Sequence, residues 1–193
     1  GDEELYKKVA LMHVQLYPHD IEAHNSLANV YWNENNPQRY DNAINEYKIM
    51  LDIDPEKYDL YKQIGHAYFN KNDFGNAIQY YERYSKIFVE DSNVLYDIAA
   101  SYRAMGQFDQ SISMLEEAIL LGNEERYLQS SLIFNKYYNK IFDANNVIDE
   151  LTKLLTKSDN FRDSVNTYDN LRSLYMILGQ ANRSYKYVEK INN

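Results

Sequence analysis

The chain echoes itself every 34 residues. Leu60-Tyr61-Lys62-Gln63-Ile64-Gly65-His66-Ala67-Tyr68-Phe69 overlays Val94-Leu95-Tyr96-Asp97-Ile98-Ala99-Ala100-Ser101-Tyr102-Arg103, and the register holds for the rest of the unit. Gly65 falls on Ala99, Tyr68 on Tyr102, Phe74 on Phe108, Ile78 on Ile112 and Tyr81 on Leu115. A fixed period of this length means stacked copies of one supersecondary unit, each burying its apolar face against its neighbours, rather than one globular core.

Within 58–91, apolar and aromatic residues at Leu60, Tyr61, Ile64, Gly65, Tyr68 and Phe69 follow helical spacing. Asn70-Lys71-Asn72-Asp73 reads as a turn. Phe74, Ala77, Ile78, Tyr81, Tyr84, Ile87 and Phe88 then mark a second helix. Residues 92–125 repeat this pattern, with Gly106 ending the first helix. Residues 21–57 give it again, with Asn35-Asn36-Pro37-Gln38-Arg39 enlarging the turn and Pro55 closing the unit. Residues 2–17 read as a lone second helix, because Tyr17-Pro18 sits where Asp54-Pro55 closes the next unit. It either caps the array or marks a cut from a longer one, and the cut is favoured.

Beyond residue 125 the echo weakens. Phe142 still follows Phe108 by one period, but Ile133 occupies the small-residue slot and Tyr137-Tyr138 are displaced by a residue or two. Residues 126–160 are therefore expected to form a degenerate unit. In 161–193, Leu171, Tyr175 and Gly179 match Ile98, Tyr102 and Gly106, with Tyr185, Val188 and Ile191 turned inward. About eleven helices and no strand are expected.

Composition agrees with a helical array. Hydrophobic residues make up 45% of the 193, with 6 Gly and 3 Pro. Cys is absent, which removes disulfides and thiolate metal sites. The net charge of −9 repels phosphate backbones and argues against nucleic acid as partner. No apolar run is long enough for membrane insertion. The compartment is open, with cytoplasm ahead of periplasm.

Taken together, Ile64, Gly65, Tyr68, Ala77 and Tyr81 resemble the signature of the tetratricopeptide repeat: a large apolar residue, a small one, an aromatic, an alanine and another aromatic. Leu27, Ala28, Tyr31, Ala43, Tyr47 and Pro55 match it across the insertion. Ile98, Ala99, Tyr102, Gly106 and Ala118 match it with Ser111 in the alanine slot. The resemblance implies an all-α, right-handed superhelical solenoid of helix-turn-helix repeats forming a single array over 1–193. First helices would line a concave groove that holds a peptide or protein. The small slot lets two helices approach closely, and Tyr68 and Tyr102 are expected to fill the space left.

On the first helices, residues that avoid the packing faces are the candidates for partner binding. They are Asn25, Asn29, Trp32 and Asn33, then Lys62, His66, Phe69 and Asn70, then Tyr96 and Arg103 beside Asp97 and Ala100. Asn side chains both donate to and accept from a peptide backbone. Trp32, Phe69 and Tyr96 would pack a side chain, and Lys62 and Arg103 would attract a carboxylate. The family's carboxylate clamp is broken here, because Asn25 replaces its first basic residue and Asp97 repels an anion.

No catalytic constellation, metal site or cofactor site is found. His13, His19, His24 and His66 lack converging ligands, although His24 and His66 are expected to share the groove. Glu116-Glu117 and Glu124-Glu125 read as solvated surface, and no phosphate loop is present. Asn182-Arg183-Ser184 matches a glycosylation acceptor, which carries meaning only in a secretory context. Three functions are weighed: a protein-binding scaffold or adaptor, a structural or self-association appendage of a larger protein, and an enzyme. The scaffold leads, the appendage follows, a homo-oligomer stays open, and nothing supports the enzyme.

Overall fold

The computed structural model describes residues 2–121, 126–156, 161–180 and 183–184, and all regular structure among them is helical. It divides into two compact units, Gly1–Val89 and Glu90–Asn193. Unit 1 holds α1 (Asp2–Leu16), α2 (Ile21–Asn33), α3 (Arg39–Ile53), α4 (Asp59–Asn70) and α5 (Phe74–Ser85). Unit 2 holds α6 (Ser92–Ala104), α7 (Phe108–Leu120), α8 (Arg126–Tyr138), α9 (Ala144–Thr156) and α10 (Phe161–Ile177). The expected inward positions Tyr185, Val188 and Ile191 lie outside the described residues, as do Glu124, Glu125 and Asn182.

Aspartates start the helices. The side chains of Asp20, Asp73 and Asp91 accept from the backbone N–H of Glu22, Asn76 and Asn93, satisfying donors that no helical turn can reach. After α3, Asp54 turns extended ahead of Pro55, the conformation a following proline favours.

The hairpin corners keep the period most faithfully. Asn72, Gly106 and Lys140 take left-handed φ of 63°, 73° and 59°, and successive members of this set lie 34 residues apart. The 126–160 unit is thus degenerate in side chains and regular at its corner. Its first helix is turned on its axis. The buried Ser130, Ser131, Phe134 and Asn135 fall 36 residues after the buried Val94, Leu95, Ile98 and Ala99, which moves Ile133 out of the small slot.

In unit 1, α3 packs against both α2 and α4, and the three helices share one core. Ala28 joins Ala43, Ile44, Tyr47 and Met50 of α3 and Leu60, Ile64 and Ala67 of α4 in one buried cluster. The close approach at Gly65 is made by Tyr81, which is 1% exposed, and not by Tyr68. Tyr68 is half-buried and stacks on Tyr80 at 5.5 Å, which corrects the space-filling role expected of it.

In unit 2, Ser111 does more than replace an alanine. Its Oγ donates to the Ala99 carbonyl at 2.7 Å and accepts from Asn135 Nδ2 at 2.7 Å, so one fully buried hydroxyl ties α6, α7 and α8 together. A second cluster of Phe134, Val147, Leu151, Leu154, Leu171, Leu174 and Tyr175 joins α8, α9 and α10.

Candidate protein-binding surface

A groove of about 570 Å³ opens between α1 and α2. Glu3, Tyr6, Val9, Ala10 and His13 line it from α1, while Ser26, Asn29, Val30 and Asn33 line it from α2 together with Glu34 just after that helix. The α1 wall mixes Tyr6, Val9 and Ala10 with Glu3 and His13, and the α2 wall is rich in amides. Lys7 pairs with Glu34 at 2.8 Å beside the groove, and that hydrogen bond holds the Lys7 ammonium above its ordinary value. Asn33 donates to the Asn29 carbonyl of its own helix at 2.8 Å. Asn70 makes the same bond to His66, also at 2.8 Å. Asn25 is half-buried on the same helix as Asn29.

The other candidates divide by the helix face they occupy. Trp32 meets Tyr40 edge-on at 5.2 Å, and Phe69 meets Phe74 edge-on at 5.4 Å. These are equivalent pairs that brace the hairpin corner from within, so much of each ring is committed to its own hairpin. Lys62 Nζ sits 5.2 Å over the Tyr84 ring, and His66 packs edge-on against Tyr81 at 5.5 Å. Both side chains turn toward α5. His24 is not a groove residue. It is 3% exposed, with Nδ1 at 2.6 Å from Glu46 and Nε2 at 3.1 Å from the Pro18 carbonyl.

In unit 2, Tyr96, Ala100 and Arg103 of α6 stand beside Ser131 and Asn135 of α8 around a gap with no room for a water molecule. Tyr96 meets Tyr127 edge-on at 4.9 Å. Asn135 is 1% exposed and its Oδ1 accepts no hydrogen bond. Ser111 fixes this orientation of the amide: its hydroxyl proton already points at Ala99, so it can only accept from Asn135. Spacing within one unit had no means of finding Asn135, because its partner Ser111 belongs to the preceding unit.

Among the described residues, no three His, Asp or Glu side chains converge to hold a metal ion, and no helix is long and apolar enough to cross a membrane.

Residues 58–87 and 92–121 match the sequence profile of the tetratricopeptide repeat. The chain is 37% identical over 65 residues to the Hsp70-Hsp90 organizing protein of Triticum aestivum, covering 34% of this chain and 11% of that protein. It is 27% identical over 99 residues to superkiller protein 3 of Schizosaccharomyces pombe (strain 972 / ATCC 24843), covering 51% and 7%. The chain thus spans about a tenth of the length of these curated relatives. Among solved structures it resembles a tetratricopeptide repeat protein from Parabacteroides merdae ATCC 43184, with a TM-score of 0.74 at 14% identity over 100% of this chain and 72% of that one. It also resembles a MamA RS-1 double mutant, with a TM-score of 0.66 at 16% identity over 80% and 84%. Proteins of this repeat class generally mediate protein–protein interaction and act as non-catalytic scaffolds. The helical-hairpin stack, the recurring corner and the two matched repeats agree, and the chain is a tetratricopeptide-repeat protein.

Proposed function

We propose that the chain is a non-catalytic interaction scaffold that receives a segment of a protein partner in the groove between α1 and α2. The single observation that carries this reading is that groove itself, with Tyr6, Val9 and Ala10 of α1 facing the amides of Asn29 and Asn33. Its volume of about 570 Å³ lies in the range that binding clefts occupy. Apolar surface supplies the free energy of docking, and the amides supply register by hydrogen bonding. Tyr96 and Arg103, both half-buried on α6, offer a second contact point, where Arg103 would attract a carboxylate or carbonyl.

The test is a pull-down from the source organism with the native chain beside Val9→Glu and Arg103→Glu variants. Both residues lie outside the buried core, so circular dichroism should be unchanged. Partners lost by Val9→Glu belong to the α1–α2 groove, and partners lost by Arg103→Glu belong to the Tyr96–Arg103 surface of α6. If both variants retain everything the native chain retains, the reading fails.

A further inference from the structure

Several cations of unit 1 are committed within the fold. Lys7 and Lys71 pair with Glu34 and Asp41. Arg39 donates to the Glu34 carbonyl and the Tyr40 hydroxyl at its own corner. Lys48 and Arg83 are held differently. Lys48 Nζ lies 5.9 Å over the Tyr68 ring and donates to its hydroxyl at 3.4 Å. The Arg83 guanidinium lies 4.9 Å over the Tyr80 ring, and the two rings stack on each other at 5.5 Å. The sequence cation, ring, ring, cation thus runs across α3, α4 and α5. Asp52 follows Lys48 by one turn and Glu82 precedes Arg83, yet among the described residues neither cation pairs with a carboxylate.

A ring face attracts the charge of a guanidinium or ammonium and leaves most of its N–H groups to bond elsewhere. It also restrains a long side chain that would otherwise lose its rotamer freedom on binding. Tyr68 and Tyr80 are half-buried against the core of unit 1, so the platform is fixed from beneath. Tyr61 backs Tyr80 at 6.4 Å. Lys48 and Arg83 are both exposed.

We propose that this row is a docking surface for an acidic segment of a partner protein, with Lys48 and Arg83 each taking a carboxylate and the segment's apolar atoms covering the tyrosine pair. None of these residues lines the α1–α2 groove, so this is a second surface with its own partner chemistry. The three steps of the row are 5.9, 5.5 and 4.9 Å, so an extended segment of about five residues, at ~3.3 Å each, is long enough to reach from one cation to the other. Charge complementarity selects the occupant: two exposed cations without a carboxylate stand out on a chain of net charge −9. At ~0.1 M salt a charge is felt over about 10 Å, which screens the remote acidic surface and leaves a carboxylate seated on the row attracted. A nucleic acid is disfavoured, because its long row of phosphates meets the acidic field of the whole chain.

The test is fluorescence anisotropy on the intact chain at about 0.1 M salt, with a short fluorescein-labelled peptide of alternating Glu and Leu as probe. A Lys–Leu peptide and a short oligothymidylate serve as comparisons. The Glu–Leu peptide should bind and the Lys–Leu peptide should not. Arg83→Gln and Lys48→Gln should each weaken binding about fivefold, the upper reach of an exposed ion pair. Lys8→Gln removes the same charge from an exposed position on α1 and should leave binding unchanged. All three residues are exposed, so circular dichroism should match the native chain. No binding of the Glu–Leu peptide, or an equal loss with Lys8→Gln, overturns the row as a site. Tighter binding of the oligothymidylate overturns the acidic protein segment as its occupant.

Discussion

A Cβ built on Gly65 would stand 2.5 Å from both Cδ1 and Cε1 of Tyr81, inside the contact distance of any two carbon atoms. Tyr81 is 1% exposed and has no room to retreat. Ala is intrinsically better than Gly in a helix by about 1 kcal/mol, yet overpacking a full core costs ~1–3 kcal/mol, so the clash wins. Gly65→Ala should lower the unfolding free energy by up to about 2 kcal/mol in urea melts. Gly75 has no atom near its virtual Cβ, so Gly75→Ala should instead raise stability by roughly 0.5 kcal/mol. If the two substitutions shift stability in the same direction, the close-approach argument is wrong.

His24 and Glu46 form a second constraint on unit 1, across 22 residues of sequence. Both ring nitrogens of the buried imidazole meet an acceptor, Glu46 on one side and the Pro18 carbonyl on the other. Removing the carboxylate strands a buried donor, and an unsatisfied buried polar group costs about 1–3 kcal/mol. Glu46→Ala should cost that amount, while Glu22→Ala, exposed on α2, should stay within about 0.5 kcal/mol of the native chain.

These two positions mark where sequence reading succeeds and where it stops. Gly65 is legible because a small residue at a fixed slot in three units has one geometric use. The buried role of His24 is not, because it needs Glu46 from the neighbouring helix. Trp32, Phe69, Lys62 and His66 share one helical stripe with Asn29 and Asn33 by spacing alone. A stripe of residues three and four apart still spans a wide arc, and the arc is cut by α5 and by the aromatic pairs at the corners. The α1 wall of the groove was missed for a different reason: the candidates were sought on first helices, whereas Tyr6, Val9 and Ala10 stand on a second one.

Alkaline pH should expose the buried tyrosine of α3. Burial raises the Tyr47 phenol above its ordinary value of 10.0. The neutral phenol is thus favoured in the folded state, while the unfolded chain ionises first. Stability is intact below about pH 10 and falls as pH rises through the folded value. Lys7 and Lys71, raised by hydrogen bonds to Glu34 and Asp41, act in the same direction at higher pH. Thermal melts should hold steady from neutrality to about pH 9.5 and decline beyond it. Tyr47→Phe, which keeps the ring and removes the ionisation, should soften that decline; an identical alkaline profile would remove Tyr47 from the account.

The corner at Lys140 makes the last prediction, and it tests the repeat itself. Lys140 holds φ at 59°, the conformation that Gly106 holds at 73° one period earlier. An L-residue with a Cβ pays roughly 1 kcal/mol to sit there, and glycine does not. If the 126–160 unit keeps the hairpin geometry of its neighbour, Lys140→Gly should stabilise the chain by about 0.5–1 kcal/mol despite the added freedom of the unfolded state. The same change at exposed Lys153, inside α9, should destabilise by a similar amount, because there glycine loosens a helix and removes the Lys153–Glu150 ion pair. Opposite signs at the two lysines would establish that the backbone period survives where the side-chain signature has faded, whereas a loss of stability at both would mean the 140 corner is not the counterpart of Gly106.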